Sequence, residues 1–168
     1  MKAVLFLVVA ASFVGGNLAR ADVYRVRVET FERVFTEGAE AGAKETLAHK
    51  LEFVTPLDQE FGSKIVLDQR TVTCNGKLTR QEDGKLVVTV KHQESIEQGQ
   101  AGDVPEDAGK PKPEPATAKL ATSFVAEPGL PRVIGGVMTS VPAAGKAPTV
   151  TKRRIVLTMT KVEDPVEK

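Results

Sequence analysis

The segment Ile65–His92 (IVLDQRTVTCNGKLTRQEDGKLVVTVKH) decides the fold class, because it combines apolar alternation with two turn dipeptides. Asn75-Gly76 and Asp83-Gly84 are both typical of two-residue β-hairpin turns, which need positive φ at their central positions. The segment therefore predicts an antiparallel meander, with strands at about 64–74, 77–82 and 85–92.

The two turns also predict the register of this meander and its buried face. Cys74 is expected opposite Lys77, and Glu82 opposite Lys85. Residues directly opposite each other on adjacent strands share a face of the sheet. In this register Val72, Thr79 and Val88 line up across the sheet. We assign the apolar residues of that face to the core: Val72, Cys74, Leu86, Val88 and Val90.

Alternation of apolar and polar residues continues on both sides of this segment. A period of two is typical of half-buried strands, and the abundant Val and Thr favour them. Between the first two such stretches, residues 36–44 form a small-residue connection with room for one helical turn, and Pro56 ends the second stretch. In each predicted strand, alternate residues lie on one face of the sheet. These residues are Tyr24, Val26 and Val28 in the first strand, Leu47, His49, Leu51 and Phe53 in the second, and Ile155, Leu157 and Met159 in a last strand at 153–162.

Residues 97–119 interrupt the pattern with four prolines, many charges and a single valine. Such a composition cannot bury enough apolar surface to offset the entropy of ordering, so we expect a flexible, partly extended linker. Strands resume at 120–126 and 132–139, followed by a weak stretch at 140–151. Neither side of the linker has enough strands for its own core.

Residues 22–168 are therefore expected to form a single all-β domain, interrupted by the linker at 97–119. The predicted architecture is an antiparallel β-sandwich or a strongly twisted sheet of about six to eight strands. The chain has no strongly amphipathic helical segment, which excludes α/β folds with crossover helices.

The first 21 residues have the three parts of a secretory signal peptide. Lys2 provides a positive start, Ala3–Val14 is apolar except for one serine, and Ala19-Arg20-Ala21 places small residues at the cleavage positions. We expect cleavage before Asp22, against the alternatives of an uncleaved anchor or a buried first helix. The mature chain is then expected to be periplasmic, envelope-associated or extracellular, without a transmembrane helix.

Charge and cysteine content exclude several classes of protein. The chain has 23 Lys and Arg against 22 Asp and Glu, a formal net charge of +1. This balance lacks the clustered basic excess of a nucleic-acid-binding protein, so we expect no nucleic-acid partner. The single cysteine excludes an internal disulfide framework and a multi-cysteine zinc site.

None of the common catalytic or cofactor motifs is present, whether G-x-S-x-G, H-E-x-x-H, P-loop or G-x-G-x-x-G. His49, His92 and Cys74 would form a three-ligand metal site if strand pairing brought them together. The alternative is two strand histidines and a core cysteine that packs as a small apolar residue. The carboxylates at 37–40 and 103–107 are expected in loops. Loops rarely provide the burial or the charged partner that shifts the pKa of a carboxyl group. We assign no catalytic, cofactor-binding or metal-binding residue and expect no cofactor.

Two other segments are open to a binding or a structural interpretation. Lys152-Arg153-Arg154 is either a contact for an anionic envelope polymer, lipid head group or acidic partner, or a charged strand entry that discourages aggregation. The KPKPEP run at Lys110–Pro115 is either a docking segment for an extended-peptide reader or a spacer.

The C-terminal part resembles secretin-type β-domains. Ser123–Thr139 (SFVAEPGLPRVIGGVMT) followed by Thr151–Val162 (TKRRIVLTMTKV) is similar to their closing strands, and Thr71–Val90 is similar to an earlier part. Secretins are ring-forming outer-membrane pores of bacterial secretion and pilus systems. The resemblance implies an antiparallel β-domain, an envelope location and self-association. Its matching positions are Gly129, Ile134, Gly135, Gly136, Ile155, Val156, Leu157 and Thr158.

Three hypotheses for function follow. The first is an exported, non-enzymatic binding or structural protein of the cell envelope, with an unknown envelope protein or polymer as partner. The second is a secretin-related component that oligomerises in or at the outer membrane. The third is a small hydrolase whose site assembles only in three dimensions, which requires His49 or His92 within hydrogen-bond reach of a carboxylate or Cys74.

Overall fold

A computed structural model describes residues 6–10, 22–67, 70–96, 116–143 and 145–163. Within these ranges the chain is all-β, as predicted, and no helix is long and apolar enough to cross a membrane. The one helix among them is a 3-10 turn at Glu40–Gly42, inside the connection predicted to have room for a helical turn. The strands are β1 (Phe6–Ala10), β2 (Val23–Thr36), β3 (Glu45–Pro56), β4 (Glu60–Leu67), β5 (Arg70–Arg80), β6 (Leu86–Ile96), β7 (Ala116–Ala126), β8 (Arg132–Ala143) and β9 (Lys146–Lys161).

The strands form two sheets. The first sheet has the order β1-β3-β2-β9-β8 and the second sheet the order β4-β5-β6-β7. All neighbouring strands are antiparallel except β1, which runs parallel to β3. The last strand, β9, lies between β2 and β8, so the C-terminal part of the chain completes the sheet that the N-terminal part begins.

The apolar faces of the two sheets pack against each other in a sandwich. Phe53 of the first sheet contacts Phe61 of the second sheet, with 4.9 Å between ring centroids. The alternating residues of β2 and β9 point inward as predicted, as do His49, Leu51 and Phe53 of β3, which ends at Pro56. The prediction is wrong for Leu47, because a register shift after Thr30 places it opposite Phe31, and it is only half-buried. The buried apolar residues include Tyr24, Val26, Val28, Leu51 and Phe53 in β2 and β3, Val72, Cys74, Leu86, Val88 and Val90 in β5 and β6, and Ile155, Leu157 and Met159 in β9.

The predicted turn at Asn75-Gly76 is wrong, because β5 runs straight through both residues. Gly76 is needed for close packing instead. A Cβ atom there would overlap Cζ of Phe61 and would lie 2.6 Å from the carbonyl oxygen of Thr89. A glycine inside a strand often marks such an approach.

The turn at Asp83-Gly84 exists but is wider than a two-residue turn. Arg80 pairs with Leu86, so Glu82 and Lys85 are not cross-strand partners. Gly84 has φ +83, and the Asp83 carboxylate accepts a hydrogen bond from the backbone N–H of Lys85 at 3.1 Å.

The predicted register of the meander is therefore wrong, although its buried face is confirmed. Cys74 lies opposite His92 rather than Lys77, and Val88 lies opposite Leu78 rather than Thr79. The five residues assigned to the core from this segment are all buried: Val72, Cys74, Leu86, Val88 and Val90.

Two predicted boundaries also differ. β7 begins at Ala116, four residues inside the expected linker, because Ala116 pairs with Ile96 at the far end of β6. The stretch 140–151, expected to be weak, belongs largely to β8 and β9. Both segments are stabilised by backbone pairing more than by burial, which an apolar pattern does not detect. The rest of the predicted linker, 97–115, and the KPKPEP run lie outside the described residues.

Candidate functional site

A polar layer lies between the two sheets at one end of the sandwich. The inward face of β2 is apolar from Tyr24 to Val28 and then continues with Thr30 and Glu32, both buried. The facing strands become polar at the same level. The other buried polar residues of this layer are His49, His92, Glu94 and Arg153.

Two arginines and two glutamates connect the sheets within this layer. Arg153 of the first sheet lies 3.0 Å from Glu32 and 3.6 Å from Glu94. Arg70 of the second sheet lies 2.9 Å from Glu94 and 3.3 Å from Glu32. Each arginine therefore contacts both carboxylates. A buried group of this kind depends on all its members, because removing one leaves an opposite charge uncompensated.

The two histidines stack on each other across the sheet–sheet interface. His49 comes from β3 and His92 from β6, with ring centroids 6.2 Å apart and planes within 2° of parallel. Their side chains are buried, and among the described residues none of the four ring nitrogens has a hydrogen-bond partner. Desolvation by burial lowers the pKa of each ring to about 4, and for His49 the nearby His92, Arg70 and Arg153 charges add to the effect. Both rings are therefore neutral near pH 7.

The candidate metal ligands come close without forming a ligand group. Cys74 is the cross-strand neighbour of His92, and burial raises the pKa of its thiol to about 12. It is therefore a neutral thiol at pH 7, not the thiolate that binds metals. Within the described part of the chain, no three His, Cys, Asp or Glu residues are arranged to hold a metal ion.

Among the residues that the structure describes, the arrangement needed by the hydrolase hypothesis is likewise not found at either histidine. His49 and His92 are 1% and 3% exposed, so a substrate in solvent does not reach their rings. A general base must also lie within hydrogen-bond reach of the group it activates.

The basic run Lys152-Arg153-Arg154 is divided between the core and the surface. Arg153 points inward, whereas Lys152 binds Glu40 at 2.9 Å and Arg154 binds Glu45 at 2.6 Å. These ion pairs lower the pKa of both carboxyl groups. The run is therefore not a continuous basic surface. The position of Arg153 in the strand predicts its burial, because Arg153 lies two residues before the inward-facing Ile155 and therefore on the same face.

The sheet edges offer a second kind of candidate site. On one side of the sandwich β3 lies over β4, through the Phe53–Phe61 contact. On the other side β7 lies beside β8, where the Arg132 guanidinium donates to the carbonyl of Val125 at 3.0 Å and lies over the Phe124 ring at 4.8 Å. Apart from β1, which pairs with the outer edge of β3, the two sheets thus end at the same two sides of the molecule.

The outer edge of β8 has the features of a strand that pairs with another chain. No charged residue occurs from Val133 to Val141, and the register shifts lie at the two ends of this run. Proteins usually protect sheet edges with charges, prolines or bulges. The exposed apolar side chains on β8 are Val133 (54%), Met138 (71%) and Val141 (62%).

The residues that carry the secretin resemblance lie together in β7, β8 and β9. Gly129 has φ +86 in the turn between β7 and β8. Gly135 is opposite Ile155, and a Cβ atom there would lie 2.7 Å from the Leu120 side chain of β7. The residues that carry the resemblance therefore belong to one packed unit of three strands, β7, β8 and β9.

Comparison with known proteins identifies the fold. No protein-family model and no curated protein matches the chain. Solved structures of secretins do match, although at 9 to 11% sequence identity for the three described here, so the likeness concerns the fold alone. The secretin-type β-domain resemblance in the sequence is confirmed at this level.

Three of these structures indicate the extent of the likeness. Aeromonas hydrophila ExeD has a TM-score of 0.52 at 11% identity, over 87% of this chain and 50% of that chain. PulD in the Klebsiella pneumoniae type II secretion system outer membrane complex has a TM-score of 0.50 at 10% identity, over 86% of this chain and 40% of that chain. The Salmonella SPI-1 type III secretion injectisome secretin InvG has a TM-score of 0.48 at 9% identity, over 86% of this chain and 64% of that chain. The chain therefore spans less than two thirds of the length of each.

Proposed function

We propose that this protein is a secretin-related, non-enzymatic component that associates side by side with copies of itself in a secretion assembly at the outer membrane. The observations that support the proposal are the uncharged outer edge of β8 and the fact that, without β1, both sheets end on the same two sides of the molecule. The fold likeness to ExeD and PulD supports the class of assembly. This is the second hypothesis from the sequence, and the comparisons favour it over the first.

The strand count makes such association geometrically consistent. Without β1, each sheet has four antiparallel strands, in the orders β3-β2-β9-β8 and β4-β5-β6-β7. With an even number of strands, a second copy in the same orientation continues the alternation in both sheets at once. In that arrangement β8 pairs with β3 of the next copy, and β7 pairs with β4. Head-to-tail contacts of this kind close into a ring when the rotation between copies allows it.

The working chemistry of the protein is then strand pairing. Backbone N–H and C=O groups along the β8 edge pair with another copy, and the exposed Met138 and Val141 side chains become buried. Burial of apolar surface contributes roughly 25 cal/mol per Å² to such contacts. The signal peptide predicted at residues 1–21 supplies export to the envelope.

The mass of the cleaved form tests the proposal directly. We expect residues 22–168, purified in mild detergent, to form assemblies of many copies by light scattering after gel filtration. A mass of one chain at all accessible concentrations would overturn the proposal. It would favour the first hypothesis instead, a binding or structural protein of the cell envelope.

Edge variants test which strand mediates the contact. Met138→Glu/Val141→Glu places two negative charges on the β8 edge and should reduce the assembly to single copies. Val34→Glu is the control, because Val34 is also exposed (48%) but lies on β2, opposite Thr151 of β9 and away from the β8 edge. Equal assembly of both variants would exclude β8 as the pairing strand.

A further inference from the structure

The outer face of the second sheet is basic. Strand parity decides which side chains point outward, because the buried Ile65, Cys74 and Val88 define the opposite face. The outward residues are mostly lysines and uncharged polar residues, and Glu60 is the one carboxylate that the structure describes on this face. They are Glu60, Gly62, Lys64 and Val66 in β4, Thr71, Thr73, Asn75, Lys77 and Thr79 in β5, Val87, Thr89, Lys91, Gln93 and Ser95 in β6, and Thr117, Lys119, Ala121, Ser123 and Val125 in β7.

Three of the lysines, Lys77, Lys91 and Lys119, form a diagonal lysine row across this face. Lys77 is opposite Thr89, two residues before Lys91. Lys91 is opposite Ala121, two residues after Lys119. Diagonal neighbours of this kind on adjacent strands are about 7–8 Å apart. Among the described residues none of the three lysines forms an ion pair, so no carboxylate at ion-pair distance relieves the repulsion between their charges.

An open groove lies beside two lysines of the row. It has a volume of about 670 Å³, and its lining includes Lys77, Lys91, Asn75 and Thr89. The Asn75 amide lies over Gly62, since a Cβ atom at Gly62 would overlap the amide oxygen. Ligand sites of proteins commonly have volumes of about 300–1,000 Å³. The lysines therefore border a concave surface that offers amine, amide and hydroxyl groups together.

Side-by-side association does not cover this face. Neighbouring copies would meet through backbone groups at the strand edges, whereas the side chains of the outer face project roughly perpendicular to the sheet. A single copy and an assembly therefore present the same lysine row. A ligand of this face does not depend on the association proposed above.

We infer that the outer face of the second sheet binds an extended anionic polysaccharide. The lysine row complements the negative groups that recur along such a polymer, and charge complementarity of this kind guides association. The hydroxyl and amide groups beside the lysines exchange hydrogen bonds with sugar hydroxyls. Among these groups are the Asn75 amide and the hydroxyls of Thr89 and Ser123, whose oxygens lie 3.1 Å apart.

Two other anionic partners fit this face less well. A membrane surface is bound through a continuous apolar area in addition to charge. The exposed apolar side chains here, Val66 (65%) and Val125 (41%), lie at opposite corners of the face. Single-stranded nucleic acid stacks its bases on aromatic side chains, and the outward residues given above include none. A polysaccharide needs neither feature.

Binding to immobilised polygalacturonate, a carboxylated polysaccharide, tests the inference. Residues 22–168 carry Met138→Glu/Val141→Glu in every sample, so that single copies are compared. Raised salt should weaken binding, because it screens exposed charges. Lys77→Thr/Lys91→Thr/Lys119→Thr should weaken binding about tenfold at low salt, because three exposed ion pairs are lost together. Threonine suits a strand, so the fold should be retained, and circular dichroism checks this.

The matched control, Lys44→Thr/Lys146→Thr/Lys152→Thr, removes the same number of positive charges away from this face. All three lysines are exposed and belong to the first sheet or to the connection before β3. The control should bind within about twofold of the parent chain, since distant exposed charges are screened. Equal weakening of both variants, equal binding to neutral dextran, or no binding to polygalacturonate would overturn the inference.

Lysine acetylation with and without the polymer locates the contact without any substitution in the row. Bound polygalacturonate should slow acetylation of Lys77, Lys91 and Lys119 relative to Lys44 and Lys146. Equal rates at all five lysines would contradict a site on this face. Vesicles of phosphatidylglycerol and phosphatidylcholine are the last comparison. Stronger binding to these vesicles than to the polymer would assign the face to a membrane surface and exclude a polysaccharide as its ligand.

Discussion

At the scale of single residues, His49 and His92 make the stability of the protein depend on pH. Neutral rings are tolerated in the core, but protonated rings would be two like charges 6.2 Å apart, close to Arg70 and Arg153. The Glu32 carboxylate in the same layer opposes that charge at His49, by less than burial and the three cationic neighbours favour the neutral ring. The pKa of each ring falls from 6.5 to about 4 on folding, so the unfolded chain binds protons that the folded chain does not.

We therefore expect acid to destabilise the fold between pH 6.5 and 4. The contribution of the neutral rings is complete above pH 6.5 and declines as pH falls, with a slope of at most about 1.4 kcal/mol per pH unit for each histidine. His49→Leu/His92→Leu should have a shallower dependence, because the titrating groups are gone and no hydrogen bond is lost. Urea denaturation from pH 7.5 to 4.5, in the non-associating edge variant, measures the free energy of unfolding.

Glu32 and Glu94 are unchanged in this comparison, so the two chains differ only at the rings. Identical slopes for the histidine pair and the leucine pair would show that the rings do not titrate on unfolding. A steeper slope for the leucine pair would contradict the assignment of neutral buried rings.

At the scale of elements, β9 shows how one basic run serves two purposes. Arg153 is 5% exposed and contacts two buried carboxylates, whereas its neighbour Arg154 is 46% exposed and binds Glu45 at the surface. The period of two places consecutive side chains on opposite faces of the sheet. Identical residue types thus differ in environment by parity alone.

The two arginines should differ strongly in their effect on stability. Arg153→Met leaves Glu32 and Glu94 with less compensation in the core and should cost about 3–5 kcal/mol. Arg154→Met removes a surface ion pair and a cation–π contact with Phe31, and should cost about 1 kcal/mol. Chemical denaturation at pH 7 of both variants measures the difference. Equal costs would mean that the buried cluster is not held together by its charges.

The same elements show how far the sequence is informative. Alternation predicts the inward faces of β2, of β9 and of β3 from His49 onward, because burial in a strand follows local parity, but it does not predict the register shift that turns Leu47 to the other face. Asn75-Gly76 was misassigned because the reason for Gly76 is Phe61, a residue on another strand. The His49–His92 stack joins two sheets, and local patterns do not reveal which faces meet. Register and inter-sheet contacts therefore required the structure.

At the scale of the whole molecule, the fold depends on its last strand. β9 pairs with β2 on one side and β8 on the other, so the first sheet is not continuous without it. It also contributes Ile155, Leu157 and Met159 to the core, all about 1% exposed. Contacts so distant in sequence close large loops, which slows folding of sheet proteins.

Truncation at two positions tests this dependence. A chain of residues 22–145 lacks β9 and should show no cooperative unfolding transition, because β8 loses its partner and β2 gains an open edge. A chain of residues 22–162 keeps the hydrogen bond from the Val162 N–H to the Val23 carbonyl at 2.8 Å and should match the stability of 22–168 within about 0.5 kcal/mol. Circular dichroism with urea titration distinguishes the two. Cooperative unfolding of 22–145 at the midpoint of the longer chain would show that the second sheet and β2–β3 fold independently of β9.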